Sequence, residues 1–155
     1  MSLSRGYFAS YVKFYVVPPP GLTPAKQTVP NSISDLGQIA GYYTFGSGNI
    51  PHGFLRAADG TITSFEAGFS TFPTSINAAG AITGSYADAS GTSGHNFVRA
   101  PGGSITSFDP PSPPPPGLFC GGPAFPTSIN GNGVIIGWCF TGVPNPSILG
   151  FARFP

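Results

Sequence analysis

Three segments of this chain superpose on one another without a gap, and that repetition limits the fold more than any other feature. They are Pro30-Asn-Ser-Ile-Ser-Asp-Leu-Gly-Gln-Ile-Ala-Gly-Tyr-Tyr43, Pro73-Thr-Ser-Ile-Asn-Ala-Ala-Gly-Ala-Ile-Thr-Gly-Ser-Tyr86 and Pro126-Thr-Ser-Ile-Asn-Gly-Asn-Gly-Val-Ile-Ile-Gly-Trp-Cys139, spaced by 43 and 53 residues. Each reads as a short strand, a tight turn and a second strand. Gly37, Gly80 and Gly133 supply the positive φ that such a turn needs, and Asp35, Asn77 and Asn130 are turn formers that tolerate left-handed backbone. Ile33/Ile39, Ile76/Ile82 and Ile129/Ile135 give each strand pair its apolar anchors. Gly41, Gly84 and Gly137 fall in mid-strand, where glycine marks a bulge or the close approach of a neighbouring sheet.

A third strand follows a variable loop, as His52-Gly-Phe-Leu-Arg56, His95-Asn-Phe-Val-Arg99 and Leu149-Gly-Phe-Ala-Arg153. A fourth follows a glycine turn, as Gly60-Thr-Ile-Thr-Ser-Phe-Glu66 and Gly103-Ser-Ile-Thr-Ser-Phe-Asp109, and the third copy stops at Pro155 before reaching one. The N-terminus carries a match for the missing piece. Pro18-Pro-Pro-Gly-Leu22 repeats Pro114-Pro-Pro-Gly-Leu118, and Gly21 and Gly117 each stand nine residues before the proline that opens the next repeat. Tyr7–Val17 then takes the place of a fourth strand, with Phe8, Val12, Phe14 and Val16 on one face. That strand is expected to complete the third repeat, of its own chain or of a partner. The organisation is one repeat domain over 1–155: a closing strand and connector (1–29), repeats at 30–72, 73–125 and 126–155, and a proline-rich insert at 110–123.

The run Ser-Ile-Asn-x-x-Gly-x-Ile-x-Gly-x-Tyr, then His-Gly-Phe, then Thr-x-Phe-Asp-x-Pro, resembles the HAF-type bacterial extracellular repeat family over residues 30–155. Leu149 departs from that pattern's histidine, and the insert 110–123 is foreign to it. The resemblance implies an exported protein and a β-propeller, and implies no reaction. An all-β propeller of four-stranded blades needs roughly four to eight of them. Three per chain therefore predict a six-bladed ring of two chains, the N-terminal strand completing the last blade. The alternative is a β-trefoil, which closes with three four-strand repeats in one chain.

Composition narrows the function. Gly (23) and Pro (19) make about a quarter of the 155 residues, a level met in disordered chains. Fourteen Phe, six Tyr and one Trp supply the apolar surface that such chains lack. Six Lys+Arg against five Asp+Glu leave no basic stripe, which excludes nucleic-acid binding by phosphate neutralisation and a polybasic membrane contact. No apolar run is long enough for a membrane-spanning helix. No signal peptide is visible, and Met1-Ser2-Leu3 is compatible with an added leader.

Candidate sites carry two readings each. His52 and His95 hold equivalent positions, and hairpin counting sets them beside Glu66 and Asp109. Such pairs are proton-relay or metal-ligand candidates, or structural hydrogen bonds that recur with the hairpin. Arg56, Arg99 and Arg153 are half of the cations at one repeat position. They form either an anion-binding set or bonds to backbone carbonyls, Glu66 or Asp109. Tyr42, Tyr43, Tyr86 and Trp138 end the second strands, as stacking platforms for sugar rings if exposed and as packing between repeats if not. Strand pairing puts Ala124 opposite Cys139 and brings Cys120 within reach of a disulfide, which suits an oxidising compartment. Pro110–Pro116 favours a stiff polyproline II connector rather than a peptide ligand. Asp88-Ala-Ser-Gly91 reads as a plain turn rather than a calcium loop. With no nucleophile elbow, phosphate loop or zinc spacing, neither cofactor nor metal is expected and the chain reads as no enzyme. The leading expectation is an extracellular, lectin-like carbohydrate-binding module. A self-assembling surface protein, as a homodimer, is the alternative, and a hydrolase using His52 or His95 the remote third.

Overall fold

The computed structural model describes residues 12–14, 16, 26–91, 94–110, 120–141 and 147–155. Each repeat folds into its own antiparallel sheet, and no helix occurs among the described residues. The first sheet is β1 (Gln27–Ile33), β2 (Ile39–Thr44), β3 (Pro51–Arg56) and β4 (Ile62–Phe65), in that spatial order. The second is β5 (Ser70–Ile76), β6 (Ile82–Ala87), β7 (Gly94–Arg99) and β8 (Ile105–Phe108). The third holds β9 (Cys120–Ile129), β10 (Ile135–Thr141) and β11 (Ile148–Arg153). The all-β expectation and its strand order within each repeat hold.

The first turn closes identically three times. Gly37, Gly80 and Gly133 sit at φ 77°, 86° and 79°, and their N–H groups donate to the carbonyls of Ser34, Asn77 and Asn130. Asn77 Oδ1 accepts from Ala81 N (2.9 Å) and Asn130 Oδ1 from Val134 N (3.0 Å). In the first repeat Ser34 takes that role, its Oγ accepting from Gln38 N at 3.2 Å. The gap-free superposition aligns Ser34, not Asp35, with the asparagines, so Asp35 as the turn-holding residue is corrected. Left-handed backbone falls on the glycines and not on Asn77 or Asn130.

A bulge lies opposite each mid-strand glycine, between Pro30 and Ser32, between Pro73 and Ser75, and between Pro126 and Ser128. The close approach comes from within the same sheet. A Cβ on Gly41 would lie 2.1 Å from the Val29 carbonyl oxygen and 2.9 Å from the Phe54 ring, and Gly84 and Gly137 repeat that crowding. A neighbouring sheet as the cause is therefore corrected.

Successive sheets stack in a row. β5 packs against β1, β2 and β3, and β9 against β5, β6 and β7. Strand alternation sends one face of the second sheet back onto the first. Ile76, Ile82 and Phe97 there meet Ala40, Leu55 and Phe65 of the first. At the front of the row Val16 is buried with Tyr43 and Phe54, and Phe14 stands edge-on to Phe54 at 6.1 Å. Phe14 and Val16 thus cover the first sheet, and the expected pairing with a third repeat, of this chain or of a partner, is not made among the described residues. Val12 is exposed and does not share their buried face. Phe8 and most of the segment Tyr7–Val17 lie outside the described residues, as do 111–119 of the proline-rich insert.

Cys139 pairs with Ala124 across β9 and β10 as expected, and Cys120 and Cys139 form a disulfide. Closing a loop of sequence separation 19 contributes about 3 kcal/mol by restricting the unfolded chain. The bond is consistent with an oxidising compartment. No helix of the described residues is long and apolar enough to cross a membrane.

Candidate functional site

The residues singled out by repetition meet where one sheet packs on the next. Arg99, on β7, lays its guanidinium 5.0 Å above the ring of Phe65, at the end of β4 in the preceding sheet. Arg153 does the same over Phe108 at 4.9 Å, and Arg56 over Phe14 at 5.2 Å. The contact joins the third strand of one repeat to the fourth strand of the repeat before it. Phe14 therefore occupies the position of a fourth-strand phenylalanine ahead of the first sheet. The sequence reading gave Tyr7–Val17 a fourth strand's place but not this arginine partner, because the N-terminal segment shares no Ile-Thr-Ser-Phe motif with β4 and β8.

Each of the first two arginines also donates from Nη1 to the next residue's carbonyl, Ala57 or Ala100, at 3.4 Å. Their Nε atoms are buried without a partner. Burial pushes the Arg99 guanidinium down from its ordinary value, though an arginine stays charged in any ordinary buffer. Of the two sequence readings, the backbone-carbonyl bonds are present for Arg56 and Arg99. Glu66 and Asp109 are taken up by the histidines.

His52 Nδ1 lies 2.6 Å from Glu66 Oε1, and His95 Nδ1 lies 2.8 Å from Asp109 Oδ2. Both pairs tie the third strand to the end of the fourth, as hairpin counting placed them. The His52 ring is also stacked on Phe45 at 4.7 Å. No three His, Cys, Asp or Glu residues come together as a metal site among the described residues. Asp88 Oδ1 accepts from Ser90 N at 3.0 Å, and its carbonyl accepts from Gly91 N at 2.9 Å to close the turn.

The four candidate aromatics divide. Tyr43 is buried, stacked near Phe45 and His52, so its ring is packing and no platform for a ligand. Tyr42 meets Phe72 of the second sheet edge-on at 5.4 Å. Tyr86 lies against His95 and Phe97, and its hydroxyl shares a 2.7 Å hydrogen bond with Ser107. Trp138 stacks on Phe125 at 4.4 Å, with Phe140 perpendicular to it at 5.3 Å, on the third sheet's outer face.

A cleft of about 250 Å³ opens where the first turns of all three repeats converge. Ile33, Ile76 and Ile129 form its apolar side, and Ser34, Asp35 and Asn77 its polar side. Asn77 Nδ2 crosses to the Asn130 carbonyl at 2.9 Å and fixes two of the turns to each other. This size lies below the roughly 300–1,000 Å³ of pockets for drug-sized ligands. Compared with known proteins, the chain matches no family model, no curated protein and no solved structure.

Proposed function

We propose that this chain is a non-enzymatic run of β-propeller blades of the HAF-type extracellular repeat kind, whose work is assembly into a larger ring. One observation carries the reading: the same sheet-on-sheet contact is made twice with equivalent residues. Ser32 Oγ accepts from Ile76 N at 3.1 Å, and Ser75 Oγ from Ile129 N at 3.2 Å. Arg99 over Phe65 recurs as Arg153 over Phe108. Four-stranded meanders stacked by one repeated operation support blades over the hairpin exchange that a trefoil requires. The expected result from light scattering and negative-stain microscopy is a ring-shaped particle heavier than the 15.8 kDa chain. A species that keeps the single-chain mass at its highest soluble concentration overturns the reading.

A second reading, carbohydrate binding, is favoured by the cleft between the turns. Its volume suits one sugar ring, and Ser34, Asp35 and Asn77 set hydroxyl-bonding groups opposite an isoleucine floor. Titration with simple monosaccharides should then saturate, and Asp35→Ala should weaken the response about tenfold through loss of a charged acceptor. No heat signal from any sugar tested dismisses it.

A further inference from the structure

The row of sheets ends in two unlike faces, and each is the counterpart of a face buried within the row. At the front, Ile33 is 67% exposed, while its equivalents Ile76 and Ile129 are 5% exposed beneath the preceding sheet. At the back, Ile136 is 52% and Phe140 37% exposed, with Trp138 between them. The positions equivalent to Ile136 are Ala40 and Thr83, both 0% exposed between sheets. Side chains this large and apolar at positions otherwise sealed are unusual on a free surface.

The edge strand is matched as closely. β3 and β7 each pair with a fourth strand, Gly53 facing Phe65 and Asn96 facing Phe108, whereas β11 pairs only with β10 among the described strands. A Cβ on Gly53 would stand 2.9 Å from the Phe65 ring, although the equivalent Asn96 carries one opposite Phe108. Gly150 is its equivalent in β11, and there the nearest atom to such a Cβ is the Gly137 carbonyl oxygen at 3.9 Å. The third sheet is open at Gly150, where the other two sheets set a fourth-strand phenylalanine. At the other end of the molecule Phe14 lies under Arg56 as Phe65 and Phe108 lie under Arg99 and Arg153.

We propose that the open face of the third sheet takes a second copy of this chain, head to tail. The second copy's first sheet packs on Ile136, Trp138 and Phe140, and the segment carrying its Phe14 adds to β11 as a fourth strand with the ring over Gly150. The exposed Ser128 hydroxyl then meets the second copy's Ile33 N–H, as Ser32 and Ser75 meet the next repeat within the chain. Added strands gain main-chain hydrogen bonds, and their side chains set the register. Two copies offer six sheets, within the range that closes a propeller ring. The occupant is a second copy rather than the chain's own N-terminus, because the second sheet stands between Phe14 and β11. The inference rests on reading the sheets as assembling blades.

The test uses two exposed positions whose substitution leaves each sheet's interior intact: Ile33→Asp at the head and Ile136→Asp at the tail. Sedimentation of the full chain should give twice the 15.8 kDa chain mass. The emission of Trp138, the single tryptophan, should shift to the blue as the dimer forms. Each variant alone should weaken association by roughly 30-fold or more while keeping its far-ultraviolet spectrum. Mixing the two variants leaves one sound head and one sound tail, so association should return in part. A wild-type dimer that both substitutions leave untouched overturns this interface and spares the assembly reading. Variants that dimerise no better mixed than alone overturn the head-to-tail arrangement. A monomeric wild type overturns interface and assembly together.

Discussion

Gly84→Val should destabilise the second sheet by at least about 3 kcal/mol. A Cβ at this position would lie 2.1 Å from the Phe72 carbonyl oxygen and 2.8 Å from both Pro73 Cα and the Phe97 ring. Two of these three neighbours are backbone, so no rotamer change relieves the clash. Phe97 has no room to retreat, being fully buried against Ala40 and Ile82. The strands must part at the Pro73–Gly84 pair, next to a bulge that already interrupts the ladder. Overpacking usually costs about 1–3 kcal/mol, and a backbone clash lies at or above the top of that range. The second sheet touches both others, so a loss of at least about 3 kcal/mol should lower the melting temperature of the whole chain by roughly 6–12 °C. Gly94→Ala is the control, because nothing lies within 4 Å of a Cβ there and its φ is not positive. It should stay within about 0.5 kcal/mol of the parent. Equal melting temperatures for the two variants would refute the account of the mid-strand glycine.

The glycines were legible in the sequence because their reasons are local. A turn needing positive φ and a strand crossing its own bulge leave the same mark in each repeat, and three marks at one offset outweigh chance. The histidine–carboxylate pairs and the Cys139–Ala124 register were equally accessible, since hairpin counting fixes who faces whom. The failures share a different origin. Asp35 attracted attention as a turn former, yet the residue that closes the turn is the less conspicuous Ser34. Arg56, Arg99 and Arg153 declared themselves by position, but their aromatic partners belong to the preceding repeat, and nothing within one repeat points to them. The fate of Tyr42, Tyr43, Tyr86 and Trp138 depended on which sheet face met a neighbour, a property of stacking rather than of pattern. Exposure of the third sheet's outer face, on which the dimer proposal stands, is such a property too.

Removal of residues 1–17 should unfold the first sheet before the others. The deletion takes away Val16, which is 1% exposed against Tyr43 and Phe54, and Phe14, which covers Phe54 and carries Arg56 on its ring. Each side chain contributes about 1.5–3 kcal/mol by burial, and the cation–π contact about 0.5–1 kcal/mol more. Val16 N also donates to Thr28 Oγ1 at 3.2 Å, which ties the segment to β1. Together these amount to roughly 3.5–7 kcal/mol, a large fraction of the stability of an ordinary domain. Hydrogen exchange should report the loss in β1 to β4 while β5 to β8 keep their protection, at a concentration where the chain is monomeric. Val16→Asp asks the same question with the segment present, and a charge buried there without a partner should cost a comparable amount. The location of the lost protection separates the two placements of this segment. Loss in the first sheet alone agrees with Phe14 and Val16 as its cover. Loss confined to β9 to β11 of the monomer would restore the placement on the third repeat of the same chain, and with it a ring closed by one chain. At concentrations that favour the dimer, the deletion should strip protection from β11 as well, because that edge would then lose the strand donated by the second copy.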